Sequence, residues 1–214
     1  MPSRRHNDST LTLPMETSTS LHDVAPPLRQ RVLDAAVSSL IERGVAGTTT
    51  LEVQRRAGVS RGALLHHFPS HAELLSATVG ALVARNEAAV NAAVASMHAD
   101  LDPLEQAIRA LAVMTVQPAF LAEIELWATA RVDDALRASL IGTERSARHD
   151  SDRVLRLLFA SLDGHPAQEV VIAFTTEFLR GLALSGVLHR SPLRRQRLLN
   201  HWIKAIRILL AHWK

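Results

Sequence analysis

The sequence contains no cysteine. This absence excludes disulfide bonds, thiolate zinc sites and a cysteine nucleophile, and it fits a reducing compartment, so we expect a cytoplasmic protein. Uninterrupted apolar runs of the length that a membrane span requires are also missing, and the first residues lack the basic start and apolar core of a signal peptide. We therefore expect no membrane partner.

Lysine is scarce, since Lys204 and Lys214 are the only two in the chain, and the basic residues are nearly all arginine. Lysine plus arginine number 24 against 21 aspartate plus glutamate, and the net charge of +3 permits nucleic-acid binding without requiring it. Because 47% of the 214 residues are apolar, the chain can bury one sizeable core, or a small module docked on a larger one.

Convincing alternating strand patterns are missing too, and apolar residues recur at helical spacing along most of the chain. Residues 1–27 are rich in serine, threonine, aspartate and proline, which predicts a flexible tail. Breaks near residues 44–47, 58, 69, 100–103, 117–118, 133, 163–166 and 191–192 divide the rest into about nine helices. We therefore predict an all-α fold.

Two short helices joined by a glycine turn are predicted between Thr49 and Phe68. Thr49 and Ser60 can cap these helices, and Gly58 can adopt the left-handed backbone of the turn. The residues predicted to form the core of this motif are Val53, Ala57, Val59, Leu64 and Phe68. The opposite, outward face then carries Arg61, Gly62, Leu65 and His66.

The segment Arg56 to Leu75, reading RAGVSRGALLHHFPSHAELL, resembles the signature of the TetR family of transcription regulators. The resemblance implies an N-terminal three-helix helix-turn-helix DNA-binding domain over residues 28–75, with the motif at about 49–68. It also implies a larger helical effector-binding and dimerisation domain over residues 76–214. In proteins of this kind the third helix enters the major groove, the starts of the second and fourth helices touch phosphates, and two subunits read a palindrome.

Carried over by position, the resemblance implies that Arg61 and Gly62 face base edges of double-stranded DNA. Thr49, His67 and His71 would lie at phosphates. A bidentate bond from Arg61 to guanine would contribute about 1 to 3 kcal/mol of discrimination. The full set of implied DNA-binding residues is Thr49, Thr50, Ser60, Arg61, Gly62, Ala63, Leu65, His66, His67 and His71.

Two residues depart from the family pattern. Leu65 stands where the family usually has tyrosine, which removes a phenol donor but leaves an apolar contact to a thymine methyl group. Gln54 stands where alanine is usual, at a close helix contact, so it can shift the angle between the second and third helices. The alternative interpretation is a helical protein-binding or enzymatic bundle with a degenerate helix-turn-helix, whose activity Arg61→Ala would leave unchanged.

Histidines invite a metal interpretation, because His67 and His71 have the four-residue spacing of helical zinc ligands. Pro69 puts them on different helices, so they share no face. Two further clusters read as solvated charge, and they comprise His98, Asp100 and Asp102, and His149, Asp150 and Asp152. We predict no metal and no cofactor.

Catalysis would require a nucleophile with a base, or paired carboxylates in a pocket, and Glu123 with Glu125 is the nearest candidate. Residues two apart on a helix face different directions, so we predict that the protein is not an enzyme.

The middle helices mix aromatic and polar residues in a way that can line a cavity for a small-molecule effector. The predicted lining residues are Met114, Gln117, Phe120, Ile124, Trp127, Arg131 and Phe159. Ordinary core packing is the competing explanation, and Arg131 can bind an anionic or carbonyl group or extend to water.

Apolar stripes at three- and four-residue spacing mark the last two helices, and we predict that they form a homodimer interface. The predicted interface residues are Phe174, Phe178, Leu182, Leu198, Trp202, Ile206 and Leu209. The hypothesis is a repressor that holds two recognition helices about 34 to 36 Å apart on a palindrome. An effector would release it, with the fourth helix as the lever.

Overall fold

The computed structural model describes residues 26–97 and 101–213. Within these ranges the chain forms nine α-helices, one short 3-10 helix and no strand, which confirms the predicted all-helical fold. The α-helices are α1 (Leu28–Gly47), α2 (Thr50–Ala57), α3 (Arg61–His67), α4 (His71–Ser96), α5 (Pro103–Met114), α6 (Pro118–Ala130), α7 (Asp134–Leu158), α8 (Gln168–Leu188) and α9 (Pro192–Ala211), and the 3-10 helix spans Ala160–Leu162. Residues 1–25 of the predicted tail, and the candidate ligands His98 and Asp100, lie outside the described residues.

Side-chain caps set the starts of the helices in the N-terminal part of the fold. The hydroxyl oxygens of Thr49, Ser60 and Ser70 each accept a backbone N–H three residues later, at 3.1, 3.2 and 3.1 Å. Between α2 and α3, Gly58 has φ 62° and ψ 44°, the left-handed conformation that the turn requires. The predicted caps and turn are confirmed.

One apolar core holds α1 to α4 together and extends to α6 and α7. Val53, Leu64 and Phe68 are 0%, 1% and 2% exposed, and Ala57 is also buried, as predicted. Val59 is only partly buried and packs at the edge of this core. The motif therefore has the interior that its sequence spacing predicts.

A second core joins α4, α5, α8 and α9 around Phe159, which is fully buried. α4 enters both cores, because Leu74 to Leu82 pack in the first while Val90 and Ala93 pack in the second. The long fourth helix therefore connects the two regions, and α5 and α6 meet beside it at a 70° bend.

α8 is apolar along most of its length. Its 21 residues, with a mean hydropathy of 1.5 in their most apolar stretch, would suffice to cross a membrane, and only 28% of that stretch is buried. The core helix of a water-soluble bundle passes the same test, so composition alone assigns α8 to neither environment. The α5 and α6 pair passes it only if the bend is counted as one span.

Candidate functional site

α3 presents a polar surface to solvent. Arg61, Gly62 and His66 are exposed, Leu65 is 37% exposed, and Ala63 is half-buried. Leu64 and Phe68 hold the opposite side of this segment in the core. α3 can therefore approach a partner with its outward face without unpacking the motif.

Arg61 makes no hydrogen bond or ion pair with any described residue. Nearby, Arg31 donates to the carbonyl oxygen of Ala57 at 2.6 Å, and the guanidinium of Arg29 lies 5.3 Å from the ring centre of Phe68. Arg61, the one arginine of α3, therefore has all of its N–H donors free for an external acceptor.

α2 is fastened to α1 by an ion-pair network around Glu52. Its carboxylate accepts hydrogen bonds from Arg55 and from Arg56, the latter at 2.6 Å, and Arg56 also bonds Glu42 at 2.7 Å. The hydrogen bonds from Arg55 and Arg56 lower the pKa of Glu52 to about 2. Glu52 therefore stays ionised at neutral pH, and these arginines are engaged within the protein.

The residues predicted at phosphates lie at helix ends next to α3. Thr49 is exposed at the start of α2 and Thr50 is half-buried. His71, at the start of α4, is exposed but its Nε2 donates to the carbonyl oxygen of Thr48 at 2.6 Å, which fixes the ring. His67 is half-buried and its ring meets that of His66 edge-on, with centres 5.1 Å apart. Backbone N–H groups and dipoles at such helix starts favour anions.

A cavity of about 110 Å³ opens between α4, α5, α6, α7 and α8. Most of its wall is apolar, and the polar side chains on it are Asn86, Glu87, Thr115, Glu123, Ser151, Thr176 and Arg180. The cavity therefore combines an apolar body with a few convergent polar groups, which is the usual character of a small-molecule site.

Glu123 is the central polar group of this cavity. Its Oε2 accepts a hydrogen bond from Nδ2 of Asn86 at 2.8 Å. Burial and the nearby carboxylate of Glu144 raise the pKa of Glu123 to about 7, and Arg180 and Asn86 oppose that rise. Glu123 therefore titrates near neutral pH.

Two buried polar atoms at the cavity have no partner among the described residues, Oδ1 of Asn86 and Nε of Arg180. The guanidinium of Arg180 lies 4.6 Å from the ring centre of Trp127, and its Nη1 bonds Glu177. Unpaired buried polar atoms are unfavourable, so both atoms are open to a ligand.

The predicted lining residues divide between the cavity and other places. Met114 and Phe120 line it. Trp127 lies behind Arg180 and donates from Nε1 to Glu144 at 2.6 Å. Arg131 is exposed at the end of α6, Phe159 is fully buried in the second core, and Gln117 and Ile124 are half-buried outside the lining. Helical spacing identified α6 correctly but not which of its sides meets α4 and α8.

The predicted interface residues also divide. Leu182 and Ile206 are 6% and 1% exposed, because they pack within this chain. The rings of Phe178 and Trp202 stack with centres 4.5 Å apart, and Leu198 and Leu209 are half-buried. Phe174 alone of the seven is exposed, at 54%. The large apolar residues that α8 exposes besides it are Leu184, Val187 and Leu188, which the sequence interpretation missed.

α6 also contacts the end of α1, in the first core, through Glu125. Oε1 of Glu125 accepts the backbone N–H of Val45 at 2.7 Å, at the point where Gly44 kinks α1 with φ 69° and ψ −175°. Glu123 and Glu125 thus face different directions, as predicted, and they do not form a carboxylate pair. No group of three or more metal-ligating side chains occurs within the described residues.

The family model described as bacterial regulatory proteins, tetR family, matches residues 32–78. A curated HTH-type transcriptional regulator of Mycobacterium tuberculosis, itself uncharacterised, is 30% identical over 174 residues, which are 78% of this chain and 87% of that protein.

Solved structures share the fold. A TetR-family transcriptional regulator from Rhodococcus sp. aligns with a TM-score of 0.63 and 20% identity, over 86% of this chain and 98% of that one. The multidrug binding protein EbrR, complexed with ethidium, aligns with a TM-score of 0.60 and 22% identity, over 84% and 98%. The chain belongs to the TetR family of transcriptional regulators.

Proposed function

We propose that this regulator is a repressor that binds a palindromic operator as a homodimer and is released by a small-molecule effector. Residues 28–75 act as the DNA-binding domain, and residues 76–214 bind the effector and the second subunit. The observation that carries the proposal is the outward face of α3, where Arg61 is exposed and makes no hydrogen bond or ion pair with any described residue, whereas Arg31 and Arg56 are hydrogen-bonded within the protein.

Direct reading of bases falls to Arg61, with Leu65 beside it. A guanidinium can bond O6 and N7 of guanine together, and an exposed leucine can contact the methyl group of thymine. Thr49, Thr50, Ser60, His67 and His71 set the position of the helix on the phosphates. Gly62, Ala63 and His66 lie along the approach to the groove.

Dimerisation is supported by the apolar surface of α8, where Phe174, Leu184 and Leu188 are 54%, 59% and 83% exposed. A two-fold pair of such helices buries this surface and sets two α3 helices about 34 to 36 Å apart, one turn of DNA.

Release is supported by the cavity at the middle of α4. The first turns of the same helix pack in the first core, which contains the interior of the helix-turn-helix. EbrR, a solved structure of the same fold, is described as a multidrug binding protein. To shift the ratio of the DNA-binding state to the released state from 99:1 to 1:99, an effector must bind the released state more favourably by about 5.5 kcal/mol. Equal effector affinity with and without operator would refute the role of α4 as lever.

Fluorescence anisotropy on duplexes from around the protein's own gene, and on random DNA, tests the proposal. We expect tight binding to one palindromic duplex that persists at physiological salt. Arg61→Ala should weaken that binding by about 1 to 3 kcal/mol and relax one base position. Arg137→Ala is the control, since Arg137 is exposed on α7. Binding that salt abolishes on every duplex would refute the proposal.

A further inference from the structure

The polar groups that line the cavity beside Glu123 indicate which chemical class of ligand it binds. We propose that its ligand is a small lipophilic cation, an ammonium group on a single-ring apolar body, held by Glu123 and Asn86. This inference rests on the proposed effector function, and it names the class of effector.

The size of the ligand follows from the volume. The cavity measures about 110 Å³, and a cavity of about 150 Å³ in another protein accepts benzene. The wall is mainly aliphatic, with Val90, Leu111 and Leu179 among its residues and Phe120 as its aromatic ring. Because the cavity is smaller than the one that accepts benzene, a single ring is the largest body it can hold, and the polar arm must use the space beside Glu123.

The acceptors on the wall favour a donor-rich ligand. Oδ1 of Asn86 is buried without a partner, and Nδ2 of the same amide is already used on Glu123. An ammonium group has three N–H donors and no acceptor, so it can satisfy Oδ1 of Asn86 and the carboxylate of Glu123 together. A carboxylate ligand has no donor for either group.

The charges on the wall favour a cation over an anion. The carboxylates of Glu87 and Glu123 line the cavity against one guanidinium, Arg180. Arg180 is paired with Glu177 and lies over the ring of Trp127, and Glu87 is paired with Arg153 at 3.9 Å, so Glu123 is the charged group on this wall that has no ion-pair partner among the described residues. Its unpaired Nε can donate to a neutral oxygen on the ligand.

A bound cation also offsets the repulsion between the carboxylates of Glu123 and Glu144. Glu144 faces Glu123 from α7 and disfavours its ionised form. A cation bound by Glu123 and Asn86 stabilises the ionised form of Glu123. Binding therefore releases a proton from those molecules in which Glu123 is neutral before binding. The charged groups facing Glu123 are Glu87 on α4, whose partner is Arg153 at 3.9 Å, Glu144 on α7 and Arg180 on α8.

Three probes with the same ring test the class: benzylammonium, benzyl alcohol and benzoate, each titrated into the full chain by calorimetry. We expect benzylammonium to bind at least about tenfold more tightly than either of the others, the difference that one charge-assisted hydrogen bond supports. Its affinity should rise about tenfold from pH 6 to pH 8 as Glu123, with a pKa of about 7, becomes ionised.

Glu123→Gln keeps the shape of the side chain but removes its charge. It should abolish both the preference for benzylammonium and the pH dependence, while binding of benzyl alcohol changes less than about twofold. Glu169→Gln, on the exposed start of α8, is the matched control and should change neither.

The proposal that the ligand is a cation would be refuted if benzoate or benzyl alcohol bound as tightly as benzylammonium or more tightly. It would also be refuted if none of the three probes bound. Neither result would touch sequence-specific DNA binding, which the anisotropy assay measures separately. Loss of specific DNA binding with cation binding intact would instead refute the proposed function alone.

Discussion

Replacing Gly44 by alanine should destabilise the protein strongly, because the kink in α1 depends on that glycine in two ways. Its backbone, at φ 69° and ψ −175°, lies in a region that other residues occupy at a cost of about 1 to 3 kcal/mol. A Cβ atom there would also lie 2.6 Å from Oε1 and 2.7 Å from Oε2 of Glu125.

The second contribution to the loss of stability is the hydrogen bond that Glu125 loses when its carboxylate moves away from the new Cβ atom. Its carboxylate is the flexible end of a side chain and can swing away, but it then loses the hydrogen bond from the N–H of Val45. A hydrogen bond to a charged group contributes about 1.5 to 3 kcal/mol. Together with the backbone strain, we expect Gly44→Ala to lower the free energy of unfolding by about 2.5 to 6 kcal/mol.

Urea denaturation at one fixed protein concentration measures this change. Gly80→Ala is the control, since Gly80 is exposed within α4 with nothing near its Cβ position, and it should stabilise by about 0.5 to 1 kcal/mol. Repeating Gly44→Ala in a Glu125→Ala background removes the contact and leaves the strain, so its effect should shrink. If Gly44→Ala is as stable as the parent, the reasoning fails.

Three other outcomes follow from the structure. Phe159→Ala should cost about 3 to 5 kcal/mol in urea denaturation, because the ring is fully buried; a loss below about 1 would contradict its place in the core. Leu184→Glu should turn a dimer into a monomer in analytical ultracentrifugation, whereas Leu157→Glu, at a position on α7 that is somewhat more exposed, should not. Glu52 stabilises the fold above its ordinary pKa of 4.5, and this contribution should be lost as pH falls towards 2; thermal scans of Glu52→Gln should lack that slope.

The helix-turn-helix could be predicted because its signals are local. Thr49, Ser60 and Ser70 cap helices that begin at the next residue, and Gly58 takes a conformation that few other residues tolerate. Each of these choices is made within a few residues of sequence, so they needed no knowledge of the tertiary packing.

The polar side of the cavity could not be predicted from local signals, because its residues come from helices that are far apart in the sequence. Asn86 and Glu123 are 37 residues apart, and only the packing of α4 against α6 brings them within 2.8 Å. A signal did exist, since Asn86 interrupts the buried stripe of α4 between Leu82 and Val90 at four-residue spacing. A polar residue in such a stripe points to a buried network or a ligand.

α8 shows why periodicity also failed to separate the two apolar sides of a helix. Leu182 packs inside the chain while Leu184, two residues later, is 59% exposed, so apolar residues lie on opposite sides of it. A stripe count finds a buried face only where the other side is polar. In α8 the second apolar side is itself the informative feature, because large exposed apolar patches mark interaction sites.

α6 gives the clearest link between the two regions. Glu123 projects into the cavity and Glu125, two residues later, holds the N–H of Val45 at the kink of α1. Because residues two apart point to different sides of a helix, α6 has the cavity on one side and the first core, with the end of α1, on the other. We therefore expect a ligand that shifts α6 to act on α1 through this hydrogen bond of 2.7 Å, in addition to acting through α4.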